Sequence, residues 1–390
     1  MEDEIENWCN EHLPDVYDEG MFDDEETHEN VWEAFQTLAA DTLLDHIDDD
    51  DEREELTDTL TDAAAEWFRA NHAALIEAIP VTPAATLKAL QQKPQVAQHS
   101  AEWYAQRRNR LTASEFAQIL DGRRGALLRS KVAPPDPETQ ERPVAAPVAI
   151  AQEDGEMRPT SWGHRFETIV RRIYELEFAG VGTVCDTLGR FTHRDIPWLS
   201  ASPDGIVLEG PLAGRLVEIK SPKSRQPGEY VPHEYYVQMQ IQMEVTDLDA
   251  VDFVEAQFAQ RLDETLTEAD VSLLNAATWK GRIQVFGHLD APESWVYRYS
   301  EPVEDLEDAI LPPAPGDLPL LENSVWWLTG WFPRTVLRNR HWWSTVGWPA
   351  ASSFWSEVEM ARVSPPASSV APSSAAAASG WAGSSNKKNN

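Results

Sequence analysis

Positive charge is what this sequence has least of: 32 Lys+Arg stand against 66 Asp+Glu over 390 residues, a formal net charge of −34. That balance disfavours bulk attraction to nucleic acid or to an anionic membrane surface, so a nucleic-acid function requires a local basic site. Cysteine is scarcer still. Cys9 and Cys185 stand far apart with no CxxC or Cys/His cluster, which argues against a disulfide framework or a thiolate zinc centre and fits a reducing compartment. No apolar run approaches the roughly 18 residues of a membrane span, and the opening MEDEIENW lacks the basic and apolar segments of a secretion signal. The expectation is a soluble, intracellular protein of cytoplasm or nucleus that is not secreted and has no membrane partner. Neither GxxxxGK[ST] nor GxSxG occurs, and His164, His193 and His233 show no HxH or HExxH spacing.

What is present starts with a core: 42% hydrophobic residues support sizeable packed interiors, and the length suggests two or three modules. The charge is unevenly spread. Residues 1–100 hold 27 acidic and 4 basic side chains, a local net of −23, which leaves −11 for the rest of the chain. Within the head, Val31, Phe35, Leu38, Leu43 and Ile47, then Leu60, Ala64, Trp67 and Phe68, recur at helical spacing. This predicts an acidic helical module over 1–95, its acids either a solvated surface or a face that docks a basic partner.

A domain related to catalysis is expected over 96–265, interrupted by a flexible Pro/Ala-rich insertion at 131–160. Residues 266–360 read as a Trp-rich extension packing on that core, and 361–390 as a disordered low-complexity tail. Seven tryptophans fall between 326 and 355. Next to Arg334, Arg338 and Arg340 they could stack on single-stranded bases, but their helical spacings favour packing.

Chemistry concentrates in WLSASPDGIVLEGPLAGRLVEIK, residues 198–220. Two short strands around a Gly/Pro turn form a hairpin, and side chains alternate along a strand, so Glu218 and Lys220 project together while Ile219 points into the core. Asp204, just before the first strand, can meet Glu218 across the hairpin. Such carboxylates suit a hard divalent cation, with the Ile219 carbonyl completing the shell, and Lys220 can position water or neutralise charge developing on a phosphate. Taken alone, the pattern also fits a plain surface hairpin.

Three further segments bear on that cluster. Trp162 to Glu167 opens a helix whose Phe166, Ile169, Val170 and Ile173 form the buried stripe, leaving Glu167 at its edge. From Trp103 to Ala133, seven basic residues (Arg107, Arg108, Arg110, Arg123, Arg124, Arg129, Lys131) outweigh Glu115 and Asp121 for a net of +5, which is the local basic site a nucleic-acid function demands. Finally, Tyr235 to Met243 carries glutamines at alternate positions. If helical, it sets Gln238 and Gln242 on one face and Gln240 on another.

RxxxLTAS, WGxxxE, SPDG, EIKxP and YxxQxQxxM, in this order over roughly residues 96–260, resemble the lambda-exonuclease/YqaJ-type viral recombinase family of PD-(D/E)xK nucleases. The resemblance implies an α/β fold with a restriction-endonuclease-like mixed sheet flanked by helices. It further implies Mg²⁺-dependent hydrolysis of DNA phosphodiesters, with Mn²⁺ as substitute, and 5′-to-3′ exonuclease action on double-stranded DNA ends during recombination or repair. Asp204, Glu218 and Lys220 match its catalytic and metal-binding residues, and Glu167 its additional acid. Arg107 and Ser114 match its 5′-phosphate ligands, with Arg108 and Arg110 alongside. Its glutamine motif is met by Gln238 and Gln240, with Gln240 favoured. A single-strand annealing protein and a homo-oligomer are the implied partners. Endonuclease action at the same site, and a DNA-holding adaptor with a partner-recruiting head, are the alternatives.

Overall fold

The protein, a computed structural model, is described for residues 2–45, 47, 49–93, 96, 101–133, 157–178, 182–291 and 294–363. Most of the insertion expected at 131–160, most of the tail expected at 361–390, and residue 95 lie outside the described residues.

The head is built from α1 (Glu2–His12), α2 (Glu25–Ala39) and α3 (Asp50–Glu77). Ile5 and Cys9 of α1, Val31 and Phe35 of α2, and Leu60, Ala64 and Phe68 of α3 close a core of their own. The acidic run also does structural work, because the Asp49 carboxylate accepts the Asp51 and Glu52 backbone N–H groups at 3.1 and 3.0 Å and so caps α3. The head docks on the body through buried Asp23. Its carbonyl accepts the Val231 N–H at 2.9 Å, and its carboxylate accepts the Leu337 N–H at 3.3 Å. Asn339 Nδ2 reaches Asp18 at 3.0 Å beside it.

Beyond the head run α4 (Ala84–Gln91), α5 (Ala101–Arg107), β1 (Leu111–Thr112), α6 (Ala113–Leu120), α7 (Arg124–Val132) and α8 (Pro159–Glu177). Short strands follow: β2 (Val184–Cys185), β3 (Phe191–Thr192), β4 (Leu199–Ala201), β5 (Gly205–Val207) and β6 (Leu216–Lys220). Then come α9 (His233–Thr246), β7 (Ala250–Leu262), α10 (Glu268–Ala276), β8 (Lys280–Phe286) and β9 (Val296–Tyr299). β10 (Leu320–Leu337), the short turn α11 (Arg340–Trp342) and α12 (Trp348–Val363) complete the described chain.

The described strands form a mixed sheet in the order β2–β5–β6–β7–β10–β8–β9, in which β6 and β7 run parallel and the other neighbours antiparallel. A parallel pair needs a crossover, and α9 provides it. β1, β4 and β3 form a second, smaller sheet. On one face of the main sheet, Trp162, Phe166, Ile169 and Ile173 of α8 meet Val217, Ile219 and Val254. On the other, Phe116 of α6, Val237 and Ile241 of α9 and Phe354 of α12 meet Leu216, Val251 and Phe253. The architecture is thus an α/β fold with a mixed sheet flanked by helices on both faces.

One segment departs from the sequence reading. Residues 320–337 do not pack on the core as an extension; β10 lies inside the sheet, paired with β7 on one edge and β8 on the other. Trp326 and Trp327 are both buried although they point to opposite faces. A strand covered on both sides reads as a continuous apolar run, which hides its period of two. Trp342, Trp343 and Trp355 pack on the core, and the Trp355 ring stacks on Trp198 at 5.1 Å.

A candidate active site at the β5–β6 hairpin

Antiparallel pairing sets Gly205 opposite Val217 and Ile206 opposite Leu216. Alternation then turns Leu216 toward α9, with Glu218 and Lys220 on the same side, and Val217 and Ile219 toward α8. Asp204 enters the hairpin and accepts the Ile219 N–H at 2.9 Å, which fixes its carboxylate against β6. The turn is held as well. Thr82 donates its N–H to the Ala213 carbonyl at 2.8 Å. Gly214 has φ +98, and a Cβ there would lie 1.9 Å from Thr82 Oγ1, so this position requires glycine.

Glu218 is 1% exposed, and hydrogen-bond donors surround it. Its Oε1 accepts from Gln238 Nε2 at 2.7 Å and from the Lys220 ammonium, and its Oε2 accepts from Gln242 Nε2 at 2.6 Å. Gln238 and Gln242 reach one carboxylate because they lie one helical turn apart on α9. Gln240 does not reach the site. Its Nε2 donates to the Leu337 carbonyl at 2.7 Å and its Oε1 accepts the Asn339 N–H at 2.8 Å, so it ties α9 to the end of β10. The preference for Gln240 is therefore corrected to the pair Gln238 and Gln242. Extending the glutamine motif by one turn is the signal that leads to Gln242.

Burial pushes the Asp204 carboxyl well above its usual range, and the neighbouring Glu218 and Glu167 charges push it further. Burial opposes the Lys220 ammonium, but Glu218 and Asp204 outweigh it and hold the group above the usual lysine value. Its nitrogen also sits 5.0 Å from the centroid of the Tyr235 ring.

Two adjoining cavities open on this cluster. The larger, about 460 Å³, is lined by Glu167, Asp204, Ile219, Lys220, Lys223 and Arg225 among others. The smaller, about 150 Å³, shares His164, Glu167 and Asp204 with it and adds Trp103, Arg107, Thr112, Ser114, Arg190, Ser202 and Gln238. Glu167 stands at the mouth of both, 3.7 Å from His164 Nδ1. Arg107 and Ser114 thus line a cavity beside the carboxylates. Arg107 is also paired with Glu115 at 3.1 Å. Burial would raise the Glu115 carboxyl, but Lys131 and Arg107 hold it below the usual range.

Arg108 and Arg110 point elsewhere, which corrects their assignment to phosphate. Arg108 donates to the Val132 carbonyl at 3.2 Å, while Arg110 donates to Thr192 Oγ1 and the Pro197 carbonyl, each at 2.8 Å. Two interior positions of the RxxxLTAS run therefore tie it to α7 and to the small sheet. Side-chain direction from a loop is not encoded in spacing, so a basic run of this kind over-predicts ligands. Trp103, at the head of the basic segment, and Ser202, the first residue of SPDG, join the small cavity without having been assigned a role from sequence, and Arg190 joins it from outside every motif. Trp103 and Ser202 are linked at 3.3 Å.

A divalent cation would find part of its donor set here. Among the described residues, no three Asp, Glu, His or Cys side chains converge into a ready-made cage. Buried Glu218 and half-buried Asp204 do share one hairpin with a single ammonium, that of Lys220, and Ser221 Oγ, buried in the cavity wall, has no hydrogen-bond partner among the described residues. Mg²⁺ commonly takes one or two carboxylates and keeps its waters, so Asp204 and Glu218 fit it. Glu167 is nearby without being part of a preformed cage.

Residues 102–249 match the YqaJ-like viral recombinase domain. That segment is similar to this domain family. The YqaJ-like domain encloses every residue just described around the two cavities, while the head and everything from β7 onward fall outside it. An uncharacterised protein of Acanthamoeba polyphaga mimivirus is 27% identical over 190 residues, an alignment that covers 43% of this chain and 31% of that protein. The chain therefore spans about a third of the length of this curated relative. The alkaline exonuclease of Laribacter hongkongensis, alone and in complex with dAMP, aligns at 19% identity and a TM-score of 0.37, over 68% of this chain and 95% of its own. No helix among the described residues is long and apolar enough to cross a membrane.

Proposed function

We propose that the chain is a divalent-metal-dependent deoxyribonuclease that digests duplex DNA from its 5′ ends, in service of viral-type recombination. The observation that carries this reading is the convergence of Asp204, Glu218 and Lys220 on one hairpin, with Glu218 oriented from behind by Gln238 and Gln242. Asp204 and Glu218, with Glu167 and Ile219 at the cavity wall, are the residues that would hold Mg²⁺, or Mn²⁺ in its place. Bound there, the ion supplies polarisation of the scissile phosphate and activation of a water.

The chain's own residues do the rest. Gln238 and Gln242 keep both Glu218 oxygens aimed, so that the carboxylate does not have to reorganise during the reaction. Lys220 brings a positive charge to the phosphate as negative charge builds on its oxygens. Lys223 and Arg225 extend that field along the larger cavity. Arg107 and Ser114 face the smaller cavity, where a terminal phosphate would set the register of the strand. Digestion of one strand leaves its complement single-stranded, which is the substrate a single-strand annealing protein takes up.

The test uses the purified chain with Mg²⁺ on linear and closed-circular duplex DNA. Loss of the linear substrate alone, abolished in folded Asp204→Asn and Lys220→Met variants, supports the reading. Cleavage of the closed circle would make the protein an endonuclease at the same site. Full activity in both variants would overturn the assignment of this centre.

A further inference from the structure

We propose that Arg190, which belongs to none of the five motifs, is a phosphate ligand of the small cavity and the residue that makes it prefer a phosphorylated DNA end. The inference rests on the nuclease reading above and deepens it. Arg190 lies at the entrance to β3 and is fixed there by its backbone N–H, which donates to the Val96 carbonyl at 3.0 Å. Its side chain is only 2% exposed, and its guanidinium sits 4.5 Å from the Trp103 ring centroid. Neither Nη1 nor Nη2 has a hydrogen-bond partner among the described residues. A guanidinium carries five donors, and buried ones are ordinarily paired with an anion or a carbonyl.

The motif arginine is in a different position. Arg107 shares the cavity but already has Glu115 as a counter-charge at 3.1 Å, and Glu115 is also held by Lys131 at 2.8 Å. The uncompensated positive charge of this cavity is therefore that of Arg190. Burial, with Arg107 and Arg110 nearby, pushes its guanidinium down to about 10 against a smaller opposing pull from Glu115, the direction expected of a cation without an anion bonded to it. Around it the cavity wall includes Ser114 and Ser202, while the Thr112 hydroxyl is already donated to Glu115 at 2.7 Å. Two guanidinium groups and two serine hydroxyls in about 150 Å³ suit a compact tetrahedral oxyanion with several acceptor oxygens. A phosphate monoester has that chemistry. Because Asp204 and Glu167 belong to the same wall, a terminal phosphate seated here adjoins the carboxylates where the next phosphodiester would be cut.

The experiment compares the full chain with Arg190→Met and Arg190→Lys. In metal-free protein, inorganic phosphate is titrated and the thermal midpoint followed. Wild type should rise with phosphate, Arg190→Lys should rise less, and Arg190→Met should not respond. Without phosphate, Arg190→Met should melt at or above the wild-type midpoint, since it removes an unpaired buried charge. With Mg²⁺, kcat/KM is then measured on duplexes ending in 5′-phosphate, 5′-hydroxyl or 3′-phosphate. Wild type should favour the 5′-phosphate, and Arg190→Met should lose about 10- to 100-fold of that preference. If Arg190→Met keeps the phosphate response and the end preference, the proposal is overturned while the nuclease reading stands. An Arg190→Met chain that melts well below wild type, with Arg190→Lys doing the same, would make the side chain structural and also overturn it. Phosphate binding through Arg190 in a chain that hydrolyses no DNA would keep the anion site and remove the nuclease reading.

Discussion

Gln242→Met tests whether the carboxylate at the centre of the site is held from behind. Gln242 is fully buried, and its amide donates to Glu218 Oε2 at 2.6 Å, while the two other donors, Gln238 and Lys220, both serve Oε1. Methionine keeps the length and volume but removes the donor, so Oε2 of a buried carboxylate loses its protein partner. A hydrogen bond to a charged group contributes about 1.5–3 kcal/mol, which converts to roughly 10- to 150-fold in an equilibrium constant. Outer partners of metal ligands typically govern 10- to 100-fold in affinity, so the two estimates agree. The Mg²⁺ concentration giving half-maximal hydrolysis of linear duplex should rise by about that factor, with much of the rate recovered at saturating Mg²⁺. Gln240→Met supplies the contrast. It removes two hydrogen bonds to backbone at the end of β10, so it should lower the thermal midpoint and leave the Mg²⁺ dependence where it was. If Gln240→Met shifts the Mg²⁺ requirement and Gln242→Met does not, the orientation argument is wrong.

Two further outcomes concern stability. Burial pushes the Asp23 carboxyl well above its usual range; the Leu337 N–H opposes this, and the Asp24 and Asp18 charges add to it. A raised folded value means that the contribution is complete below the unfolded value of about 3.9 and is lost as pH rises through the folded one. Asp23→Asn should therefore melt higher than wild type in alkaline buffer, with the gain shrinking toward about pH 4; a pH-independent offset would contradict this. Trp326→Ala empties a fully buried position between β7 and β8 and should cost about 3–5 kcal/mol in denaturant unfolding, whereas a single-stranded-DNA platform would tolerate it.

The parts of the site that sequence makes legible are those carried by one local element. Asp204, Glu218 and Lys220 fall within a single hairpin, whose alternation alone decides which of them share a side. The glutamines are harder. Helical spacing says that Gln238 and Gln242 go together and Gln240 does not, but which face meets the sheet depends on how α9 crosses from β6 to β7, a tertiary fact. Arg190 is harder again, since its meaning comes from Trp103 and Arg107, more than eighty positions upstream. Arg108 and Arg110 show the opposite failure: the right residue type in the right run, turned toward carbonyls. In the fold, the amphipathic stripes of α2, α3 and α8 are plain in the pattern. Burial on both faces erases the pattern of β10, and an acidic run that also caps a helix looks like charge and nothing more.

The contact at Asp23 makes the covalent link between head and body partly redundant. Through it, the first quarter of the chain accepts hydrogen bonds from Val231 and from Leu337, a residue 314 positions away. Withdrawing the head would strip partners from backbone groups at the N-terminal approach to α9 and at the end of β10 together. A chain nicked by protease between α3 and α4 should accordingly hold its two pieces together in native buffer and release them only when the body melts. The acidic head then behaves as part of a single cooperative unit, and hydrogen exchange at the Leu337 amide should report on the opening of both halves at once.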